Sequence, residues 1–276
     1  MVCGMRVIVM SDMEGVSGIV KWEQVTGGEA LYEEGRKLYT DEINAAVRGA
    51  KAAGATEVLV MDCHGAGKGW TFNSLIPERL DPACEWVVQR SWTEYTEFLE
   101  QGCDAALFVG MHSMAGTANG VLSHTVSGSQ WHSLWFNGKL VGETGINAAL
   151  CGNWRVPVLM VTGDRVTCAE GRDLLGRGLV TVAVKQGLGR FSARNIAPLK
   201  AQEMIEAGAK KALGNLKAVK PYDPGKPCVI TVEYAHADGV EKYRSAGRKG
   251  VEVIDGRKIR STARNWWTAW KQFYDY

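Results

Sequence analysis

Three short apolar runs, each closing on side chains that bind metals, constrain this chain more than any other feature. Residues 5–10, 57–61 and 105–109 are apolar apart from Arg6 and Glu57 near the start of the first two, the pattern of strands buried on both faces. The first runs into Ser11-Asp12-Met13-Glu14-Gly15, the second into Asp62-Cys63-His64-Gly65, and the third into Gly110-Met111-His112. Between the first two, residues 31–53 carry a helical pattern, with Ile43, Ala46, Val47 and Ala50 on one face and Gly54 as its stop. Residues 93–101 also read as helical. Strand–helix–strand alternation implies a parallel sheet with crossover helices, and such a sheet binds ligands at the carboxyl ends of its strands. Asp12, Glu14, His64 and His112 are therefore expected along one edge. Asp12 and Glu14 lie two apart in an extended segment and should point the same way.

Further on, residues 121–126 and 131–136 read as strands, and Asn137-Gly138 is a hairpin signal. A helix is expected over 144–154, strands over 157–162 and 179–184, and a helix over 201–213. Pro221, Pro224, Gly225 and Pro227 mark a linker or a sharp boundary. A strand (229–234), a helix (236–243), a strand (251–254) and a Trp-rich helix from Ser261 follow it. The expected fold is α/β, a mostly parallel doubly wound sheet with a smaller C-terminal α+β part. The expected division is a metal-binding catalytic domain over 1–190 and a subdomain over 191–276. A chain of 276 residues buries enough surface to need no staples. Its seven cysteines, an odd number without a C-x-x-C pair, argue against a disulfide framework and for a reduced, cytoplasmic setting. A net charge of only +2 with no basic stripe argues against nucleic acid. No apolar window approaches the ~18 residues of a membrane span.

Two more candidates are His124, closing the expected strand in Leu122-Ser123-His124-Thr125, and Glu143, opening a helix in Val141-Gly142-Glu143-Thr144. Singly, each residue has a bland reading: Asp12 as a turn cap, Glu143 as a carboxylate at a helix N-terminus, a histidine as a satisfied structural group. Together they weigh more, because three of only five histidines fall at strand ends beside carboxylates. Imidazole with carboxylate suits zinc, and six such groups exceed one tetrahedral ion, which favours two metals. Other signals fail. Gly65-Ala66-Gly67-Lys68-Gly69 lacks the spacing and the Ser/Thr of a P-loop, and no G-x-S-x-G elbow is present. Cys63 should face away from Asp62 and His64 as a packed residue. His132 and His236 have no comparable partners in sequence and read as structural. Trp22 and Trp70 flank the site as candidate pocket walls.

At these residues the chain resembles the bacterial D-aminopeptidases encoded with dipeptide-transport genes, which are zinc metallopeptidases. The resemblance rests on Ser11-Asp12-Met13-Glu14-Gly15-Val16-Ser17-Gly18, Asp62-Cys63-His64, Gly110-Met111-His112 and Ser123-His124. It continues through Asn137-Gly138, residues 141–148, 156–161 with Gly163-Asp164, and Ala183-Val184-Lys185-Gln186, and so spans roughly residues 5–200. It implies two zinc ions per chain held by Asp12, Glu14, His64, His112 and Glu143, with Asp12 shared and His124 as a catalytic group. It also implies hydrolysis of small peptides and a homo-oligomer, a decameric ring. The loops 22–28 and 65–72 depart from the family pattern, so the D-residue preference does not carry over with the ligands. The rivals are a metal-dependent amidase or esterase on a non-peptide substrate, and a metal-stabilised binding or assembly protein without turnover. His124, which the metals do not need, favours an enzyme.

Overall fold

The computed structural model describes residues 4–92 and 95–274. Its first half opens with β1 (Met5–Ser11), α1 (Tyr32–Ala52), β2 (Ala55–Asp62), β3 (Glu85–Val87), a single helical turn α2 (Glu97–Glu100) and β4 (Ala105–Met111). A hairpin of β5 (Trp131–Phe136) and β6 (Lys139–Val141) follows, then α3 (Glu143–Asn153), β7 (Val158–Asp164), α4 (Arg165–Leu175), β8 (Val180–Gly189), β9 (Ser192–Asn195) and α5 (Pro198–Leu213). The chain ends with β10 (Cys228–Tyr234), α6 (Asp238–Ala246), β11 (Val251–Val253), β12 (Lys258–Ala263) and α7 (Trp266–Phe273).

Among the described residues the strands form two sheets. The larger runs β3-β2-β1-β4-β7-β8-β9 and is parallel except for β9. It is doubly wound. On β7, Met160 meets α5 at Gly208 while its neighbour Val161 meets α4 at Gly171, so the two helices cover opposite faces. β1, β4 and β7 are buried almost throughout, which is why they read as continuous apolar runs. The second sheet, β11-β12-β10-β5-β6, is antiparallel. Its β5–β6 turn is Asn137-Gly138, with φ of 46° and 82°, the left-handed pair that a tight hairpin requires. The Asn137 amide also donates to the Pro224 and Pro227 carbonyls and so ties the hairpin to the proline segment. Among the described residues no helix is long and apolar enough to cross a membrane.

Several expectations need correcting. Residues 121–126 form no strand; Leu122 and Val126 have φ of 51° and 62°, left-handed values that no strand allows. The apolar residues there are loop side chains plugged into the core, Val121 and Leu122 both being fully buried. Ser261 lies in β12, and the Trp-rich helix starts at Trp266, where the Asn265 side chain accepts from Thr268 N–H as its cap. The helix expected over 93–101 is only the turn α2, and Thr93 and Glu94 lie outside the described residues. β3, α4 and β9 were not anticipated. The two sheets also interleave in sequence, since β5 and β6 join β10 while α5 packs on α1.

Candidate metal centre

From β1 the sheet extends one way to β2 and β3 and the other way to β4, β7 and β8, so its switch point lies between β1 and β4. Loops there diverge and leave a crevice beyond the strand ends. Asp12 and Glu14 follow β1, His64 follows β2, and His112 follows β4. The β1 and β4 exits are held together by hydrogen bonds from Asp12 N–H to Val109 O and from Gly15 N–H to Gly110 O. Both glycines are sterically required. A Cβ on Gly110, at φ 72°, would lie 2.0 Å from Asp12 O, and one on Gly15 would lie 1.9 Å from Met111 O.

The sequence-expected groups converge. His64 Nδ1 lies 2.9 Å from Asp12 Oδ1 and 3.2 Å from Glu14 Oε2. His112 Nε2 lies 3.3 Å from both Asp12 Oδ2 and Glu143 Oε1. His124 Nε2 is 3.5 Å from Glu143 Oε1, and its ring stacks on His112 at 4.0 Å. Potential ligand atoms thus form two groups, Asp12–Glu14–His64 and His112–His124–Glu143, each within 4.8 Å, with Asp12 reaching across. His132 is outside the cluster, beside Ser133 and Glu233, and His236 borders a separate cavity.

The outer ring atoms fix the tautomers. His64 Nε2 faces Val25 O at 2.7 Å, His112 Nδ1 faces Ser113 O at 2.9 Å, and His124 Nδ1 faces Leu122 O at 2.9 Å. A carbonyl only accepts, so each of these nitrogens carries the proton and the inward nitrogen of a neutral ring is a lone pair. Lone pairs facing carboxylate oxygens repel unless positive charge lies between them. Glu14 Oε2 and His112 Nε2, both buried, make no hydrogen bond. Burial opposes ionisation, yet nearby carboxylates hold both the His64 and His112 imidazoles well above their usual range. Burial likewise opposes the Glu143 carboxylate, but His112 and then His124 draw it down to about 2. Asp12 is also held low, by His112 and His64 against its own burial. A set of buried, preoriented nitrogen and oxygen donors that demands positive charge fits zinc.

Supporting groups keep these side chains in place. The Asp62 carboxylate accepts from His64 N–H, Ser74 N–H and the Tyr39 hydroxyl, at 2.9, 2.5 and 2.8 Å. Glu143 Oε1 accepts from Val126 N–H at 2.7 Å, which fixes a β-branched residue in a left-handed conformation beside His124. Lys185 follows β-rich residues 179–184 and has no role evident from the sequence. It is fully buried, and its Nζ donates to the carbonyls of Glu14, Val16 and Ile19 at 2.5, 2.8 and 2.6 Å. Burial pulls this amine down to about 8, against the charges of Asp164, Glu42 and Glu14. A lysine directly after the apolar run 179–184 was the available signal, because lysine is almost never fully buried without partners.

The cluster opens into a cavity of about 250 Å³. Trp22 lines it and meets His124 edge-on at 5.6 Å. Trp70 does not line it and instead packs on Tyr32. Cys63 is buried in the core, as expected of a packed residue, although it also borders the cavity, and burial pushes its thiol well above the usual range. That keeps the thiol protonated and unsuited to attack. The opposite wall, formed by Trp92, Trp270 and Tyr274, was not anticipated.

Known proteins resemble the chain over most of its length. Residues 5–274 match the family described as D-aminopeptidase, of the peptidase M55 group. A D-aminopeptidase of Bacillus subtilis (strain 168) is 35% identical over 233 residues, covering 84% of this chain and 82% of the relative. A solved structure, described as the zinc-dependent D-aminopeptidase DppA from Bacillus subtilis, a self-compartmentalizing protease, superposes with a TM-score of 0.87. It is 32% identical, and the match covers 96% of this chain and 94% of that one.

Proposed function

The chain belongs to the D-aminopeptidase family, and from that premise we propose that it is a zinc-dependent aminopeptidase releasing N-terminal, D-configured residues from short peptides. The observation that carries the reading is Asp12, whose two oxygens face histidines of different donor groups. Two zinc ions per chain are proposed, one held by Asp12, Glu14 and His64 and the other by Asp12, His112 and Glu143. Zinc in such sites polarises a carbonyl and lets water ionise near neutral pH. Three protein ligands for each ion leave positions open for water and substrate.

The remaining chemistry falls to the protein. His124 holds its own proton on Nδ1, against Leu122 O, and presents Nε2 toward Glu143. Nε2 is the atom proposed to take up a proton and pass it to the leaving amine, or, once protonated, to donate to the developing oxyanion. The free amine of the substrate is proposed to pair with an oxygen of Glu14 or Glu143 that is not engaged with zinc, in a cavity whose described lining has no lysine or arginine. A homo-oligomer, in the form of a decameric ring, is also proposed. It is supported by the self-compartmentalizing relative and by the exposed Leu188 and Phe191 at the β8–β9 turn.

The test is turnover of D- and L-alanyl dipeptides with free or acetylated amines. Release from free-amine D-peptides, with blocked ones resistant, is expected. Equal turnover of blocked and free substrates would point to a general amidase.

A further inference from the structure

The cavity beside the metal centre has two unlike walls. One carries carboxylates and imidazoles, and the other is aromatic. Trp270 stacks on Tyr274 at 4.7 Å, and Trp92 meets them edge-on at 5.6 and 6.0 Å. Trp266 stacks behind Trp270 at 5.4 Å, and Trp270 is fully buried, so the wall is preformed. Phe72 continues it on the β2 side. About 250 Å³ of space lies between the walls, below the roughly 300–1,000 Å³ of pockets that hold drug-sized ligands. That space suits one residue rather than an extended peptide. Its described lining has no lysine or arginine to pair with the carboxylate of a longer leaving peptide. An aminopeptidase substrate would thus place its N-terminal residue there, with its backbone toward the donor groups and its side chain toward the aromatic wall.

We propose that this cavity receives the side chain of the residue bearing the free amine, and that Trp92 and Tyr274, held in place by the buried Trp270, select a large apolar or aromatic side chain over alanine. The proposal rests on the aminopeptidase reading and extends it to substrate class. Aromatic faces preformed against a bound side chain gain from its burial without ordering costs of their own. A single methylene in an apolar pocket already changes kcat/KM by about tenfold or more.

The experiment uses the zinc-loaded, assembled enzyme and X-alanine dipeptides with X as alanine, leucine, phenylalanine or glutamate, in both D and L series. Phenylalanine should exceed alanine in kcat/KM by at least about tenfold, with glutamate the poorest. Tyr274→Ala and Trp92→Leu, checked for melting temperature and zinc content, should each reduce the phenylalanine-to-alanine ratio at least about fivefold, mainly through KM. Alanine cleaved as well as phenylalanine overturns the proposal while leaving the aminopeptidase reading intact. An unchanged ratio in both folded variants overturns the placement of the pocket. No turnover of any dipeptide overturns the aminopeptidase reading itself.

Discussion

His124 is surplus to the metals if Asp12 is shared, because each ion then already has three protein ligands. His124→Ala should therefore keep near-normal zinc content and melting temperature. Its kcat should fall by ~10²–10⁴, the usual contribution of a positioned acid, base or oxyanion donor. A lower melting temperature with turnover per folded molecule unchanged would mean that His124 only packs against His112. Lys185 acts one step further out. Its three hydrogen bonds clamp the loop that delivers Glu14. Lys185→Met leaves those carbonyls without their donor, at a cost of about 2–5 kcal/mol. Zinc affinity at the Asp12–Glu14–His64 group should weaken at least about tenfold, while the group at His112 and Glu143 keeps its ion. Equal weakening of both ions would assign Lys185 a general structural role. Asp12, Glu14, His64, His112 and Glu143 were legible in the sequence because each follows a buried strand within three residues or opens a helix. Lys185 was not, because its partners are backbone carbonyls some 170 positions away.

At the scale of elements, α1 and the β1 exit loop are joined through Glu42, whose Oε1 accepts from Ser17 N–H at 2.9 Å. Burial, only partly offset by that bond and by Lys185, pushes Glu42 up to about 7. A carboxyl raised in the folded state favours folding most below about 4.5, its ordinary value. That contribution is lost as pH rises through about 7. Glu42→Gln lacks this loss, so its stability relative to the parent should improve from pH 5 to pH 7.5, by on the order of 2–3 kcal/mol. Thermal or urea unfolding at the two pH values measures the difference. The same offset at both would show that Glu42 ionises normally. Buried parallel strands were readable as elements because an apolar run of their length has few other uses in an α/β chain. The His124 loop was not, since the β-branched and apolar residues of 121–126 read as a strand while φ at Leu122 and Val126 forbids one. β12 was also missed: its polar residues Lys258, Arg260 and Thr262 face outward on one side of the second sheet, and the following tryptophans drew the helical reading back to Ser261.

At the scale of the whole molecule, the metal centre draws on both sheets. The parallel sheet supplies Asp12, Glu14, His64 and His112, whereas α3, which supplies Glu143, begins directly after the second sheet's strand β6. A sequence read as consecutive domains misses this, because β5 and β6 lie about ninety positions before their partner β10. The proposed ring should give a particle well above 30.1 kDa by light scattering at micromolar concentration, and a monomer there would refute the assembly without touching the site. The central claim is that these side chains hold two zinc ions and that hydrolysis depends on them. Its most direct test is to titrate metal-free protein with zinc while following release of the N-terminal residue from a D-dipeptide. The account predicts no release without zinc and a plateau at two ions per chain; full turnover by protein free of metal would contradict it.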